Sequence, residues 1–397
     1  MHCVRLYPSS TQEAKLRFMF DVTRQIMNAP TNARVLQSTV TPEGTVDLRI
    51  ADVPLPAPAD DEIVVRMQAA PINPSDQGNL FGPADLATLR RDGASTIADI
   101  PEGRRRGVAG RVGRPLPMGN EGAGTVVAAG ANASSFLGRV VAISGAPSYA
   151  TYRVVRASDA LPLPPGTTPE QGASAFINPL TALGMLETMR RDGHHALVHT
   201  AAASNLGQML VRACRADGVP LVNVVRNADS VKLLRDAGAQ YVCNQNDPDF
   251  DRSLADAIAA TGATIAFDAV GGGTLANRIL VAMESALLRQ ATEYSRYGTS
   301  VHKQIYVYGG LDTSPLVLDR SYGMAWGVGG WLLWPFLLSA GAETAARLRQ
   351  RVADEITTTF ASRYTATIGL DDAIDPEHIR AYSRKATGSK YLIDPSR

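Results

Sequence analysis

The stretch from 196 to 210, Ala-Leu-Val-His-Thr-Ala-Ala-Ala-Ser-Asn-Leu-Gly-Gln-Met-Leu, leaves the chain few folds to choose from. Residues 196–199 are short and mostly apolar, as a parallel strand buried on both faces should be. Small residues follow, and Ser204-Asn205 supplies turn chemistry and a helix-capping oxygen. From Leu206 the apolar positions Leu206, Met209, Leu210 and Ala213 recur at helical spacing. A helix that starts straight after a strand points its unpaired N–H groups at whatever lies above the turn. That makes an anion site suited to a dinucleotide pyrophosphate. Of the glycines in a G-x-G-x-x-G fingerprint only Gly207 is present. Ala203 and Ser204 are small enough for close approach, and Asn205 tolerates a left-handed conformation. A strand-turn-helix without a ligand is the plain alternative.

Residues 221–225, Leu-Val-Asn-Val-Val, read as a second buried strand, and Arg226 follows it at strand-helix-strand distance from Gly207. An acidic residue there would hold a ribose 2′-hydroxyl. Arg226, with Lys232 one to two helical turns on, suits a 2′-phosphate instead, so NADPH is expected over NADH. A solvated charge at the strand end is the other reading of Arg226.

The 397 residues suffice for two domains, and a net charge of +1 gives no electrostatic case for nucleic acid or membrane. Hydrophobic residues at 45% with charged residues at 19% describe a globular protein with a large core. Cys3, Cys214 and Cys243 are too few for an all-thiolate zinc site and too scattered for a disulfide framework, which suits a reducing cytoplasm. Residues 1–30, with Glu13 and Asp21, lack the apolar run of a secretory signal and read as an extension, with Met27 a second candidate start. Residues 321–342 carry no charge and include Trp326, Trp331 and Trp334, but glycines and Pro335 interrupt them. They are expected to be buried core and an apolar wall of a substrate pocket rather than a membrane span.

In chain order, 34–38, 46–50 and 62–70 are strand-like, and 70–76 is a loop held by two prolines. Residues 83–118, with Arg104, Arg105, Arg106, Arg111 and Arg114, read as a solvated surface insertion, since no aromatics interleave the arginines. Strands near 118–127, 140–144 and 149–155 complete a β-rich domain, and Pro162, Pro164 and Pro165 mark a linker. Helix and strand then alternate: helices at 181–190, 230–236 and 250–259, and strands near Tyr241, at 264–268 and at 305–308. The strands at 264–268 and 305–308 run into Val270-Gly271-Gly272-Gly273 and Tyr308-Gly309-Gly310. Strands that stop at glycines on one edge of a parallel sheet line its ligand crevice, so Val270, Gly271, Gly272, Tyr308 and Gly309 join Ala203, Ser204, Asn205, Leu206, Gly207, Arg226 and Lys232 as cofactor-binding candidates. Residues 285–304 read as a surface excursion. Helix near 345–355 and strands near 366 and 391–393 form a tail that returns to the first domain. The expected boundaries are an extension at 1–30, a β-rich domain at 31–165, a cofactor domain at 166–342 and the return at 343–397.

This order resembles the medium-chain dehydrogenase/reductase superfamily. The matching pieces are 70–76 (Ala-Pro-Ile-Asn-Pro-Ser-Asp), 119–124 (Gly-Asn-Glu-Gly-Ala-Gly), 178–182 (Asn-Pro-Leu-Thr-Ala), the 201–207 turn and 388–391 (Gly-Ser-Lys-Tyr). The resemblance implies an α/β fold with a GroES-like β-rich catalytic domain and a Rossmann-type doubly wound parallel-sheet cofactor domain. It places Thr181 at the cofactor and Asn73 by the nicotinamide ribose and substrate pocket. Where relatives with a catalytic zinc carry Cys and His, this chain has Asn73 and Asn120. Amides are poor zinc ligands, so it resembles the zinc-independent quinone oxidoreductase branch and no metal is expected. Asn178-Pro179-Leu180-Thr181 and Asn223-Val224-Val225-Arg226 also resemble mitochondrial-type 2-enoyl thioester reductases. The place of their donor tyrosine falls at 81–84, which holds none. A homodimer is implied by the same resemblance.

The expected chemistry is hydride transfer from NADPH to a quinone or activated enone, a small-molecule substrate, with donors near the oxygen that gains charge. Tyr149 is the candidate donor, or else a core aromatic beside Tyr152. His199 reads as a satisfied core histidine and Asp268 as structural. The alternatives are 2-enoyl thioester reduction and a non-enzymatic, crystallin-like or regulatory NADPH-binding protein.

Overall fold

The computed structural model describes residues 30–384 and 390–397. The expected extension up to residue 29, with Met27, and Gly388-Ser389 of the last motif lie outside the described residues. Two compact units form, one from 30–174 with 364–384 and 390–397, the other from 175–363.

The first unit opens on β1 (Asn32–Val40), β2 (Thr45–Pro54) and β3 (Glu62–Pro71). The expected loop at 70–76 is the end of β3 and the start of helix α1 (Pro74–Phe81), with Asn73 as N-cap and Pro74 in the first turn, where a missing N–H costs nothing. The 83–118 segment is solvated over much of its length, as expected, but it is also part of a sheet. It supplies β4 (Arg90–Asp92), β5 (Ser95–Asp99) and β6 (Leu116–Pro117), and the antiparallel sheet runs β4-β5-β2-β1-β6. The short alternation of β5 buries Thr96 and Ala98, and Ile100 is buried just beyond it, whereas Arg104 to Arg106 stay exposed. Arg111 donates to Ser38 Oγ (3.2 Å) and the Asn79 carbonyl (3.0 Å). β7 (Glu121–Ala129), β8 (Val140–Ser144), β9 (Tyr152–Arg156) and β10 (Leu161–Pro162) build a second sheet around β3, which pairs with both β7 and β9.

The second unit alternates helix and strand. Helix α2 (Ile177–Arg191) precedes β11 (Leu197–His199), and α3 (Asn205–Asp217) leads to β12 (Leu221–Val225). Then come α4 (Ala228–Asp236), β13 (Tyr241–Asn244), α5 (Phe250–Thr261), β14 (Ile265–Asp268), α6 (Leu275–Leu288), β15 (Lys303–Val307) and β16 (Trp326–Gly330). The six strands are parallel in the order β13-β12-β11-β14-β15-β16, so strand order reverses at β11/β14, the switch point where such sheets bind ligands. The 285–304 excursion is exposed over 288–297, as expected of a surface segment, and is anchored at its far end. Lys303 Nζ meets Glu284 Oε2 at 2.6 Å with both side chains buried, and Thr299 donates to Glu284 through N–H and Oγ.

Residues 321–342 are not uniformly buried. Tyr322, Trp331, Phe336 and Leu337 are inside, but Met324 is 75% and Leu338 86% exposed. A continuous apolar run carries no period to say which side faces in, and packing decides it. The run divides into β16 and a helix, α7 (Leu333–Ala340). Among the described residues no helix is long and apolar enough to cross a membrane. Helix α8 (Ala342–Asp354) packs against α2 within the second unit. The chain re-enters the first unit at Tyr364, where β17 (Ala366–Gly369), helix α9 (Pro376–Tyr382) and β18 (Tyr391–Asp394) follow; β18 pairs with β17 and antiparallel to β3.

Candidate functional site

The turn between β11 and α3 has the geometry of an anion cradle. Ala201 takes a positive φ of 49°, which turns the chain sharply after the strand. Ser204 caps α3, its Oγ accepting the Gly207 N–H at 3.1 Å. A Cβ on Gly207 would stand 2.0 Å from the Ala202 carbonyl oxygen, so only glycine lets the helix start this close to the strand. Ala203 and Leu206 are buried, and Asn205 Nδ2 donates to Ser362 Oγ at 3.1 Å.

Beside it, the ends of β14 and β15 interlock. A Cβ on Gly271, at φ 79°, would meet the Gly309 carbonyl oxygen at 2.5 Å, and one on Gly309 would meet that of Ala269 at 2.6 Å. Asp268 organises the junction. Its Oδ1 accepts from Thr200 Oγ (2.7 Å) and the Val270 N–H (2.9 Å), and its Oδ2 from the Gly271 N–H (3.1 Å). The buried carboxylate thus spans β11 and β14. His199 is fully buried, with Nε2 2.7 Å from the Tyr308 hydroxyl, while its Nδ1 has no partner among the described residues, so there this histidine is only half satisfied. Burial pulls it down to about 3, and the imidazole is neutral.

The structure places Ala203, Ser204, Asn205, Leu206, Gly207, Val270, Gly271, Gly272, Tyr308 and Gly309 on neighbouring strand ends of one sheet. Arg226 follows β12 at the same edge and is exposed; its carbonyl accepts Asn246 Nδ2 at 2.7 Å. Lys232 lies further along α4, exposed and 2.7 Å from Asp236. Thr181 is buried on α2.

Asn73 and Tyr149 lie in the first unit. The Asn73 N–H donates to Asp76 Oδ2 and its Nδ2 to Glu121 Oε1, both at 2.8 Å. A carboxylate that accepts here holds the amide in one orientation. Tyr149 is fully buried and its hydroxyl donates to the Pro71 carbonyl at 3.0 Å, which makes it a prop under the end of β3. Asp76 also accepts the Asn120 N–H at 2.9 Å. Burial, then the nearby Glu121, pushes the Asp76 carboxyl up to about 7, against the pull of its two backbone donors. Burial likewise brings the Lys390 ammonium down to about 8, with Glu121 and Asp76 opposing the shift.

Asp76, Glu121 and Lys390 were not singled out from the sequence, although each belongs to a motif quoted above. The signal available was an acidic residue inside a Gly-rich apolar strand, Glu121, and one in the first turn after a proline, Asp76. Neither says which charges meet, because β3 brings β7 and β18 together across the sheet.

The zinc-binding dehydrogenase family matches residues 206–286. A mitochondrial enoyl-[acyl-carrier-protein] reductase from Xenopus tropicalis is 31% identical over 208 residues, covering 50% of this chain and 52% of that protein. The chain thus spans about half the length of the curated relatives it matches. Among solved structures, a candidate NADPH:quinone reductase from Mesorhizobium loti superposes with a TM-score of 0.68 at 26% identity, over 93% of this chain and 100% of the other. A mycobacterial protein in complex with NADPH gives 0.63 at 22% identity, over 92% and 100%, a likeness of fold.

Proposed function

We propose that this quinone-oxidoreductase-like member of the medium-chain dehydrogenase/reductase superfamily transfers hydride from NADPH to a quinone or an activated enone. The observation that carries the reading is the β11–α3 turn: a capped helix start, cleared by Gly207, at the switch point of a parallel sheet. The NADPH named with the mycobacterial fold relative supports the same cofactor.

The residues present fit a dinucleotide. Ser204 takes the Gly207 N–H and leaves those of Asn205 and Leu206 for the pyrophosphate. Gly271 and Gly309 keep the neighbouring strand ends low, where any side chain would collide with backbone. Arg226 brings a cation to the 2′-phosphate, and Asn246 steadies its backbone. When bound, NADPH supplies the hydride. In the first unit Asn73, its amide held by Glu121, orients the acceptor, and Tyr149 supports the backbone ahead of it. The reading needs no catalytic zinc: the side-chain nitrogens of Asn73 and Asn120 are committed to Glu121 and Ser75, and amides are poor zinc ligands.

The identity to the frog reductase favours a second reading, 2-enoyl thioester reduction. One assay separates the possibilities: the chain is mixed with NADPH and quinones, enones or a crotonyl thioester, and loss of the reduced-nicotinamide absorbance is followed. Oxidation with quinones or enones is expected. Oxidation with the thioester alone moves the function to the second reading, and binding without oxidation leaves a non-enzymatic NADPH-binding protein. In the same preparation Arg226→Ala is expected to weaken NADPH by about 10- to 100-fold, the loss of one charge-assisted contact, and to spare NADH. Equal loss of both would remove the 2′-phosphate role.

A further inference from the structure

The stretch from Glu102 to Arg114 is strongly charged, and the coenzyme reading gives it no role. It carries Arg104, Arg105, Arg106, Arg111 and Arg114 against one acid, Glu102. Among the described residues, the arginine ion pairs of the neighbouring sheet go to Arg34, Arg90 and Arg91, and none to Arg104, Arg105, Arg106 or Arg114. A cavity of about 270 Å³ opens beside these arginines, wholly within the first unit. Val40 and Ile100 from the core and the half-buried Val108 give it an apolar lining. Arg105 and Arg106 also line it, and no acidic residue does. The Arg105 guanidinium is held in place. Its Nε donates to the Ile100 carbonyl at 3.1 Å, and it fills the space of a Cβ on Gly44, which would stand 2.6 Å from Nη2. The Nη groups of Arg105 and the guanidinium of Arg106 have no hydrogen-bond partner among the described residues. Thr41, the other polar residue of the lining, has its hydroxyl 2.9 Å from that of Thr45.

The lining selects its ligand. Guanidinium groups grip a carboxylate or phosphate through paired N–H groups. The apolar surface beside them suits a hydrocarbon chain. The volume falls below the range of about 300–1,000 Å³ usual for small-molecule pockets, so the chain is short. No aromatic residue lines the cavity, which removes the stacking that a nucleobase would need. We propose that this cavity binds a short-chain amphipathic oxyanion, its head on Arg105 and Arg106 and its chain over Val40, Ile100 and Val108. The site uses none of the residues of the coenzyme reading and stands apart from it.

The test is calorimetry on the whole chain with octanoate. Saturable binding with a Kd below about 1 mM is expected, weakening as salt rises. Acetate has the head without the chain, and octan-1-ol the chain without the head. Each should bind at least about 10-fold more weakly, since one loses the apolar burial and the other the charge-assisted bonds. Octyl phosphate distinguishes the two heads: binding tighter than octanoate names a phosphate, weaker binding a carboxylate, and either supports the site. Arg106→Met, whose side chain has no hydrogen bond to lose, should weaken octanoate by about 10-fold or more, and so should Arg105→Met. Ala109→Phe, at an exposed position on the lining, fills the cavity while leaving both cations, and the same loss is expected. Circular dichroism checks folding. If Arg105→Met does not fold, Arg106→Met and Ala109→Phe carry the test. Acetate or octan-1-ol binding as well as octanoate overturns the proposal, and so do folded variants that bind octanoate like the wild type. Poly-glutamate bound through the same arginines with no response to octanoate also overturns it, because the face would then serve an acidic chain. NADPH affinity should be unchanged in every variant, and a wild type that binds octanoate but no NADPH sinks the coenzyme reading alone.

Discussion

Gly207→Ala probes the turn on which the cofactor reading stands. The added methyl would lie 2.0 Å from the Ala202 carbonyl oxygen, 2.5 Å from its carbon and 2.8 Å from its α-carbon. All three are backbone atoms, so no flexible side chain can swing aside. Heavy-atom contacts relax at about 3.5 Å, so the end of β11 and the start of α3 must part by at least about 1 Å. Overpacking of this kind costs about 1–3 kcal/mol of stability. The effect on binding is larger. A shift of about 1 Å carries the Asn205 and Leu206 N–H groups out of hydrogen-bond range of a pyrophosphate, and each charge-assisted bond contributes about 1.5–3 kcal/mol. The expected loss is at least about 100-fold in NADPH affinity, read by isothermal calorimetry, with urea denaturation reporting the smaller change in stability. Gly218→Ala is the control. It strains the other end of the same helix, at φ 66° with open space around it, and should lower stability while leaving NADPH binding unchanged. A folded Gly207→Ala protein that binds NADPH within about threefold of wild type would refute the argument that phosphate sits on these amides.

Two further outcomes follow from buried charge. Lys303→Met strips Glu284 of its cation at a site where both side chains are buried, and chemical denaturation should show a loss of about 3–5 kcal/mol; a loss under about 1 kcal/mol would mean that Thr299 alone satisfies the carboxylate. Asp76 holds a proton up to about pH 7 in the folded chain but releases it near 3.8 when unfolded, so its contribution to stability falls as pH rises across that window. His199 titrates with the opposite sign at lower pH, so the measurement is the stability difference between wild type and Asp76→Asn, in which His199 cancels. That difference should move against the wild type by a few kcal/mol between about pH 4 and 8, and a pH-independent difference would contradict the burial argument.

Local chemistry explains why the cofactor unit was legible. A strand of three residues, a serine cap and an apolar stripe along α3 lie within about twenty positions of one another, so period and capping suffice. The unread parts are those whose structure depends on distant partners. β4 to β6 are two to five residues long and sit among arginines, and they become strands because β2 and β1 offer free edges. The 321–342 run gave no period, and its exposed leucines follow from which side of α7 meets the second unit's core. Tyr149 had two readings, and its hydroxyl bond to Pro71 makes it a support for the chain leading to Asn73. The Asp76–Glu121–Lys390 cluster lay furthest from reach, because its members are joined by sheet pairing and not by spacing.

The two units handle buried polarity in different ways, and the contrast bears on the proposed division of their work. In the second unit the carboxylates of Asp268 and Glu284 accept from hydroxyls, amides or an ammonium, and Asp268 braces the strand ends. What that unit offers a ligand is backbone, N–H groups at a helix start beside glycines that keep the surface low. Such groups bind an anion and have no proton to trade near neutral pH. In the first unit burial brings Asp76 up to about 7 and Lys390 down to about 8, so two enclosed side chains change charge within the range where an enzyme works. A fold that only bound a dinucleotide would gain nothing from that arrangement and would lose stability to it. On the proposed reading, the proton chemistry of hydride transfer falls to the first unit and the grip on the coenzyme to the turn after His199.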